Sequence, residues 1–261
     1  MIRSLWTGTT GMHSQQLNID VIANNLANVS TTGFKKSKAD FQDLLYQAMK
    51  VPGAQTSADT ESPTGIQIGL GVKPAAVTKI FTQGDLIQTE NELDVAIEGN
   101  GFLQIETPNG NTAYTRAGAL KLDSDGRITN SDGYPVIPAI TIPDGATQIT
   151  IGDTGIVSAL IGDDTEPTEL GTMQLATFTN NSGLLAMGQN LFEESASSGT
   201  AQTGTPGDDG YGTLLQTYLE GSNVNIVEEL ANMITTQRAY EINSKTIQTS
   251  DEMMQTTNNL V

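Results

Sequence analysis

The chain contains no cysteine among its 261 residues, which excludes a disulfide framework, thiolate chemistry and any cysteine-ligated metal. Histidine is almost as scarce. His13 is the single one and lies among polar residues, so a Ser-His-Asp device would have to be built on it, and no nucleophile-elbow motif accompanies it. Basic residues are few: 12 Lys and Arg stand against 30 Asp and Glu, a formal net charge of −18. Phosphate binding needs clustered cations, so nucleic acid is not an expected partner. No apolar run reaches the roughly 18 residues of a membrane-spanning helix, so no membrane insertion is expected. Met1–Leu17 lacks the apolar stretch of a cleaved signal peptide. With 37% hydrophobic and 5% aromatic residues, a core is possible but not a large one.

Two apparent matches to known devices fail on their own spacing. Asp123-Ser124-Asp125-Gly126 followed by Asp132-Gly133 resembles part of a calcium loop, but Tyr134 occupies the twelfth position, where an EF-hand needs glutamate. Gly65–Gly71 has neither the lysine nor the following helix of a phosphate loop. No catalytic residue, cofactor site or metal site is expected, and the chain reads as a structural protein rather than an enzyme.

Against these absences stands a row of apolar residues at intervals of seven: Ile226, Met233, Tyr240, Ile247, Met254 and Val261. A matching row, Leu5, Met12, Ile19 and Leu26, opens the chain, with Ile22 and Val29 widening it. Heptad spacing puts each row on one helical stripe, and a narrow stripe calls for a partner helix rather than a globular core. The first helix is expected over residues 3–28, stopped by Ser30, Thr31, Thr32 and Gly33. Gly8 and Gly11 cost about 1 kcal/mol each relative to Ala; they permit either close helix approach or fraying of the first turns. Trp6, the sole tryptophan, reads as a packing anchor. The last helix is capped by Asn225, with Glu228 as capping-box partner and Glu228 and Glu229 favouring the dipole. Reaching Val261, it would be about 55 Å long.

Between the helices the character changes. Residues 84–170 carry fifteen acids against Arg116, Lys121 and Arg127, an acidic surface suited to water, while the nearly neutral ends can pack together. Short β-like runs from Leu93 to Phe178 are separated by Asn109-Gly110, Asp125-Gly126 and Asp132-Gly133, which favour tight hairpins. The predicted class is α+β: paired terminal helices in a coiled-coil-like layer, a central, mostly antiparallel β domain, and extended connections. The expected divisions are 1–30 for the first helix, 31–84 for a connecting domain, 85–180 for the β domain, 181–222 for an irregular return, and 223–261 for the last helix.

Several runs carry a family resemblance. Ala23-Asn24-Asn25-Leu26-Ala27-Asn28-Val29 with Thr32-Gly33-Phe34-Lys35 resembles the N-terminal signature of the rod and hook axial proteins of the bacterial flagellum. Gln237-Arg238-Ala239-Tyr240-Glu241-Ile242-Asn243-Ser244-Lys245 resembles their C-terminal one. Similarity to the distal-rod members continues through Asp43–Gln47, Pro52–Gln55, Gly69–Val72, Asp94–Ile97, Gly101-Phe102, Tyr114-Thr115-Arg116 and Ser222–Asn225. Thr7, Thr9, Thr10 and His13 depart from the more Ala-rich face of that family. The resemblance implies a homo-oligomer, polymerised helically into a rigid hollow drive shaft of the flagellar basal body that crosses the periplasm and outer membrane. Its implied partners are proximal rod proteins, the hook protein or hook–rod junction, the surrounding P- and L-ring proteins, and the flagellar type III apparatus that exports it without a cleaved signal. Self-assembly would use the two heptad rows together with Asn24, Asn25, Asn28 and Phe34. A proximal rod or hook protein of the same family, and a surface fibre or adhesin, are the alternatives.

Residues 46–65 form the last expected element. The stretch 51–65 is rich in Pro, Gly, Ser and Thr, too long for an ordinary connection, and is expected to be an irregular loop or extended arm. Tyr46, Pro52, Gln55 and Pro63 mark it as a stiffening arm between copies, the prolines limiting backbone freedom. The resemblance agrees, since the hook protein, which must bend, lacks a corresponding segment.

Overall fold

Helices occupy both ends of the chain: α1 spans Ile2–Ala27 and α2 spans Ile226–Asn259. The computed structural model describes residues 2–52, 55–57, 60–61, 64–162 and 166–259. Asn225 caps α2 as expected, its Oδ1 accepting from the amides of Val227 at 3.0 Å and Glu228 at 3.3 Å, which satisfies two donors that have no partner inside the helix. Among the described residues, no helix is long and apolar enough to cross a membrane.

The chain forms two compact units. The helical unit comprises Met1–Leu26, Ser37–Thr78 and Asn225–Val261. In it α1 and α2 run antiparallel, joined by side-chain hydrogen bonds from Ser4–Ser250 at one end to Asn25–Glu229 at the other. The helices approach closely at the two glycines: a Cβ on Gly8 would lie 3.0 Å from Ile247 Cγ1, and one on Gly11 would lie 2.9 Å from Asn243 Nδ2. Close approach, not fraying, is therefore the use of these residues. Strands Ser37–Asp43 and Val72–Lys79 pair with each other, and Tyr46–Lys50 pairs antiparallel with Ile66–Gly69.

The β unit comprises Ala27–Lys36 and Lys79–Val224. Its largest sheet has seven strands; Phe102–Glu106 lies at the centre, between Thr112–Thr115 and Leu175–Thr177, with Val136–Ile137 also pairing to it. Ala146–Ile151, Ile156–Ile161 and Thr168–Thr172 make a second antiparallel sheet. The core between them is aliphatic, with Val95, Leu103, Leu120, Val157, Met173 and Leu175 buried. A separate aromatic cluster joins Phe81, Phe102, Tyr114, Phe178 and Phe192 edge to face, with centroids 4.7–6.2 Å apart. The expected turns are present; the Gly126 amide, for example, donates to Asp123 O at 2.9 Å between strands Lys121–Leu122 and Ile128–Thr129.

Two expectations need correction. Residues 181–222 are not an irregular return. Leu185–Gly188, Leu191–Glu193 and Gln202–Gly204 join the seven-stranded sheet, Thr213–Gln216 pairs with Val95–Glu98, and Tyr218–Glu220 pairs with Leu86–Gln88. These strands are three or four residues long, and two of them are the edges of the seven-stranded sheet, so no period of two can develop in the sequence. The stretch 51–65, expected as an irregular loop or extended arm, is not irregular throughout either; it lies within the segment 46–65. The first strand of that segment pairs with Ile66–Gly69, and Gln55–Ser57 pairs with Thr60–Glu61, so the described part is a β-ribbon.

Candidate functional site

The helical unit presents an inverted helix. On α2 the residues facing α1 include Glu229, Thr236 and Ser250, all buried and polar. The opposite side carries Val227, Leu230 and Ile234, at the i, i+3, i+7 spacing of a single stripe. They are 76%, 42% and 52% exposed. An amphipathic helix normally turns its apolar stripe inward; here the chain's own partner helix takes a mostly polar face, with Ile247 packed at Gly8, and the stripe Val227, Leu230 and Ile234 stays in water.

The α1 heptad row lies beside the helix contact, whereas on α2 Ile247 enters it, against Gly8. Leu5, Met12, Ile19 and Leu26 of α1 are half-buried and flank the seam rather than form it. On α2, Met233, Ile247 and Met254 are half-buried, whereas Ile226 and Tyr240 are exposed; Val261 lies outside the described residues. Trp6 is 62% exposed, so within the chain it anchors nothing. With Thr9, Met12, His13, Gln16 and Tyr240 it lines an open groove of about 390 Å³. The departures at Thr9 and Thr10 are accommodated locally, their hydroxyls donating to Leu5 O and Thr7 O.

Asn24 is exposed and Asn28 half-exposed, but Asn25 and Phe34 correct the expectation of a self-assembly role. Asn25 is buried against Ser37, donating to Ser37 O and accepting from Ser37 N, both at 2.8 Å. Phe34 is buried with Lys79 Nζ 4.9 Å above its ring. Short polar and aromatic side chains of a signature serve internal packing as readily as contact with another copy, and spacing alone does not separate the two.

The ribbon carries exposed apolar residues on both strands and beside them: Leu45 at 83%, Tyr46 at 59%, with Met49, Val51, Ile66 and Ile68 also exposed. Pro52 is exposed, Gln55 sits in the short strand Gln55–Ser57, and Pro63 lies outside the described residues. A two-stranded ribbon is marginal in water by itself, and one with these residues uncovered calls for a cover.

A charged node buried in the β unit has no counterpart in the sequence pattern. Glu220 Oε1 accepts from Lys35 Nζ at 2.5 Å and from the Gly84 amide at 3.0 Å, and Oε2 accepts from Arg116 Nη1 at 3.3 Å. Lys35 also donates to Thr82 O and Arg116 to Gly99 O, each at 2.7 Å. Lys35 and Glu220 side chains are fully buried. Burial pushes the Lys35 amine and the Arg116 guanidinium below their ordinary values, and Glu220 opposes the shift in both. Nearby, Asn223 accepts from the Lys36 amide at 2.7 Å and donates to Ile80 O and Thr82 O at 2.8 and 3.1 Å. Parts of the runs that carry the family resemblance, at 32–35, 114–116 and 222–224, thus meet at one place inside the β unit.

Gly33 lets the chain turn into this node. Its φ is +68°, and a Cβ there would lie 2.6 Å from the Ala117 amide nitrogen. Gly33→Ala is expected to destabilise the β unit by about 2 kcal/mol or more, read as a lower denaturant midpoint; an unchanged midpoint would show that the backbone can relax.

Among the described residues, no group of three or more His, Cys, Asp or Glu could hold a metal ion.

Comparison with known proteins places these features. Family models match at three places: "Flagella basal body rod protein" at residues 5–35, "Flagellar hook protein FlgE/F/G D1 domain" at 96–159, and "Flagellar basal body rod FlgEFG protein C-terminal" at 215–260. The flagellar basal-body rod protein FlgG of Buchnera aphidicola subsp. Schizaphis graminum is 52% identical over 255 residues, 98% of each chain. That of Borreliella burgdorferi is 51% identical over 262 residues, 100% of this chain and 99% of its own. The flagellar hook-basal body complex protein FlhP of Bacillus subtilis is 30% identical over 97% of each chain.

Proposed function

The chain belongs to the flagellar basal-body rod protein family, and from this premise we propose that it is the subunit of the distal rod, polymerised helically into a rigid hollow shaft that carries motor torque to the hook. The role is mechanical rather than catalytic. The observation that carries the reading is the apolar stripe Val227, Leu230 and Ile234, left in water on the far side of α2. Copies packed side by side would cover it, together with the groove at Trp6 and Met12. The heptad rows, Asn24 and Asn28 would lie in or beside that inner layer. Proximal rod proteins at one end, the hook or its junction at the other, and the P- and L-rings around the shaft are the partners this role requires. Delivery by the flagellar type III apparatus completes it.

The ribbon supports a second element of the same reading, a stiffening arm between copies built on Tyr46, Pro52, Gln55 and Pro63. A torque shaft needs contacts beyond its helical layer, and uncovered Leu45, Tyr46 and Met49 are suited to provide them. Electron microscopy of basal bodies from a rod-deficient strain supplied with this chain tests both parts. Straight hollow tubes are expected from the full chain, and curved or flexible ones after deletion of residues 48–62. Absence of tubes from the full chain would sink the rod reading; a straight rod from the deletion would reduce the ribbon to a linker.

A further inference from the structure

The seam between α1 and α2 is built from four rungs, each seven residues from the next on both helices: Ser4 with Ser250, Gly11 with Asn243, Asn18 with Thr236, and Asn25 with Glu229. The hydroxyls of the first rung are 3.3 Å apart. Asn18 Nδ2 donates to Thr236 Oγ1 at 3.1 Å, and Asn25 Nδ2 donates to Glu229 Oε2 at 3.3 Å. In the remaining rung, the Asn243 amide lies over Gly11, where a Cβ would be only 2.9 Å away. Asn25, Glu229, Thr236 and Ser250 are all buried.

We propose that these rungs fix the register of α1 against α2. A seam of apolar residues repeating every seven can slide by one heptad at little cost, because each layer resembles the next. A polar residue at such a position specifies register at the expense of stability. Here no two rungs share the same chemistry: hydroxyl with hydroxyl, glycine with amide, amide with hydroxyl, amide with carboxylate. A slip of one heptad sets Ser4 against Asn243 and Asn18 against Glu229, and removes the cross-helix partners of Asn25 and Ser250. Those are buried polar groups that lose their cross-helix hydrogen bonds while keeping those to Ser37 and Thr246 O. The consequence for assembly, which rests on the rod reading, is that register decides where Trp6 on α1 lies relative to Ile234 on α2. One heptad would displace them by about 10 Å and destroy the composite surface.

The absence of native cysteine makes the test direct. In the full chain, Ser4→Cys with Ser250→Cys reports the native register, and Ser4→Cys with Asn243→Cys reports a one-heptad slip. Oxidised samples are resolved on non-reducing gels, where intramolecular bridges separate from dimers. The first pair is expected to close and the second to stay open. With Asn18→Leu, Thr236→Leu, Asn25→Leu and Glu229→Leu added, the slipped pair should close at a yield comparable with the native one. If that variant loses helical circular dichroism, Asn25→Ala with Glu229→Ala is read the same way. Failure of the native pair to close, closure of both pairs in the parent, or confinement of the variant to the native pair would overturn the proposal. Tube formation is scored separately: a parent that closes only the native pair yet builds no tube contradicts the rod reading and leaves the register intact.

Discussion

Glu220→Gln is expected to cost the β unit about 3–5 kcal/mol, the range for removing one partner of a buried ion pair. The substitution keeps the shape of the side chain and removes the charge that Lys35 and Arg116 share. Two cations would then remain inside the unit with no counter-charge, received by the one neutral amide oxygen of the new side chain and by backbone carbonyls, Thr82 O for Lys35 and Gly99 O for Arg116. Neither can move to water, because the Lys35 side chain is fully buried and that of Arg116 is 5% exposed. The same carboxylate accepts from the Gly84 amide, so the damage extends to the strand-to-strand connection. At about 2–4 °C per kcal/mol for a unit of this size, thermal unfolding followed by circular dichroism should move down by roughly 10 °C. Replacing the node as a whole, with Lys35→Met, Arg116→Met and Glu220→Leu, is expected to recover much of the loss, because no charge is then left stranded. A Glu220→Gln chain that melts like the parent would show that the node contributes little.

Ile234→Asp is expected to abolish tube formation and swimming while leaving the isolated chain folded. Ile234 faces water on the outward stripe of α2, so a carboxylate there disturbs nothing within one copy. In an assembled shaft the same carboxylate would enter an apolar contact, at a cost on the order of several kcal/mol, repeated in every copy. Ile247→Asp makes the contrast. Ile247 packs at Gly8 within the seam, so that substitution should loosen the helix pair as well as block assembly. Circular dichroism of the free chain and microscopy of basal bodies separate the two. Full-length rods built from Ile234→Asp would mean that the stripe is covered by nothing in the assembly.

Local chemistry is legible in the amino-acid sequence. Seven-residue spacing and the Asn225 cap mark both terminal helices, and the Asn-Gly and Asp-Gly pairs mark turns, because each depends on residues within one or two helical turns or a single tight bend. The α+β class follows from these alone. The heptad rows also point to helix pairing, and Ile247 of the α2 row does pack at Gly8. The α1 row, however, names the wrong residues for the seam: Leu5, Met12, Ile19 and Leu26 flank it, while the small and polar row at 4, 11, 18 and 25 forms it. That row repeats every seven as regularly as the apolar one, and a search for polar heptads would find it.

What the sequence determined by itself was therefore the type and position of the long elements and their need for partners beyond a globular core. The tertiary structure decided which faces meet. It joined the strands of 181–222 to the sheet and brought Lys35 to Glu220 across a separation of 185 residues. It also set polar rungs inward and an apolar stripe outward on α2. Pairings across the length of the chain leave no local period, since their stabilisation comes from groups that become neighbours only once the backbone has closed.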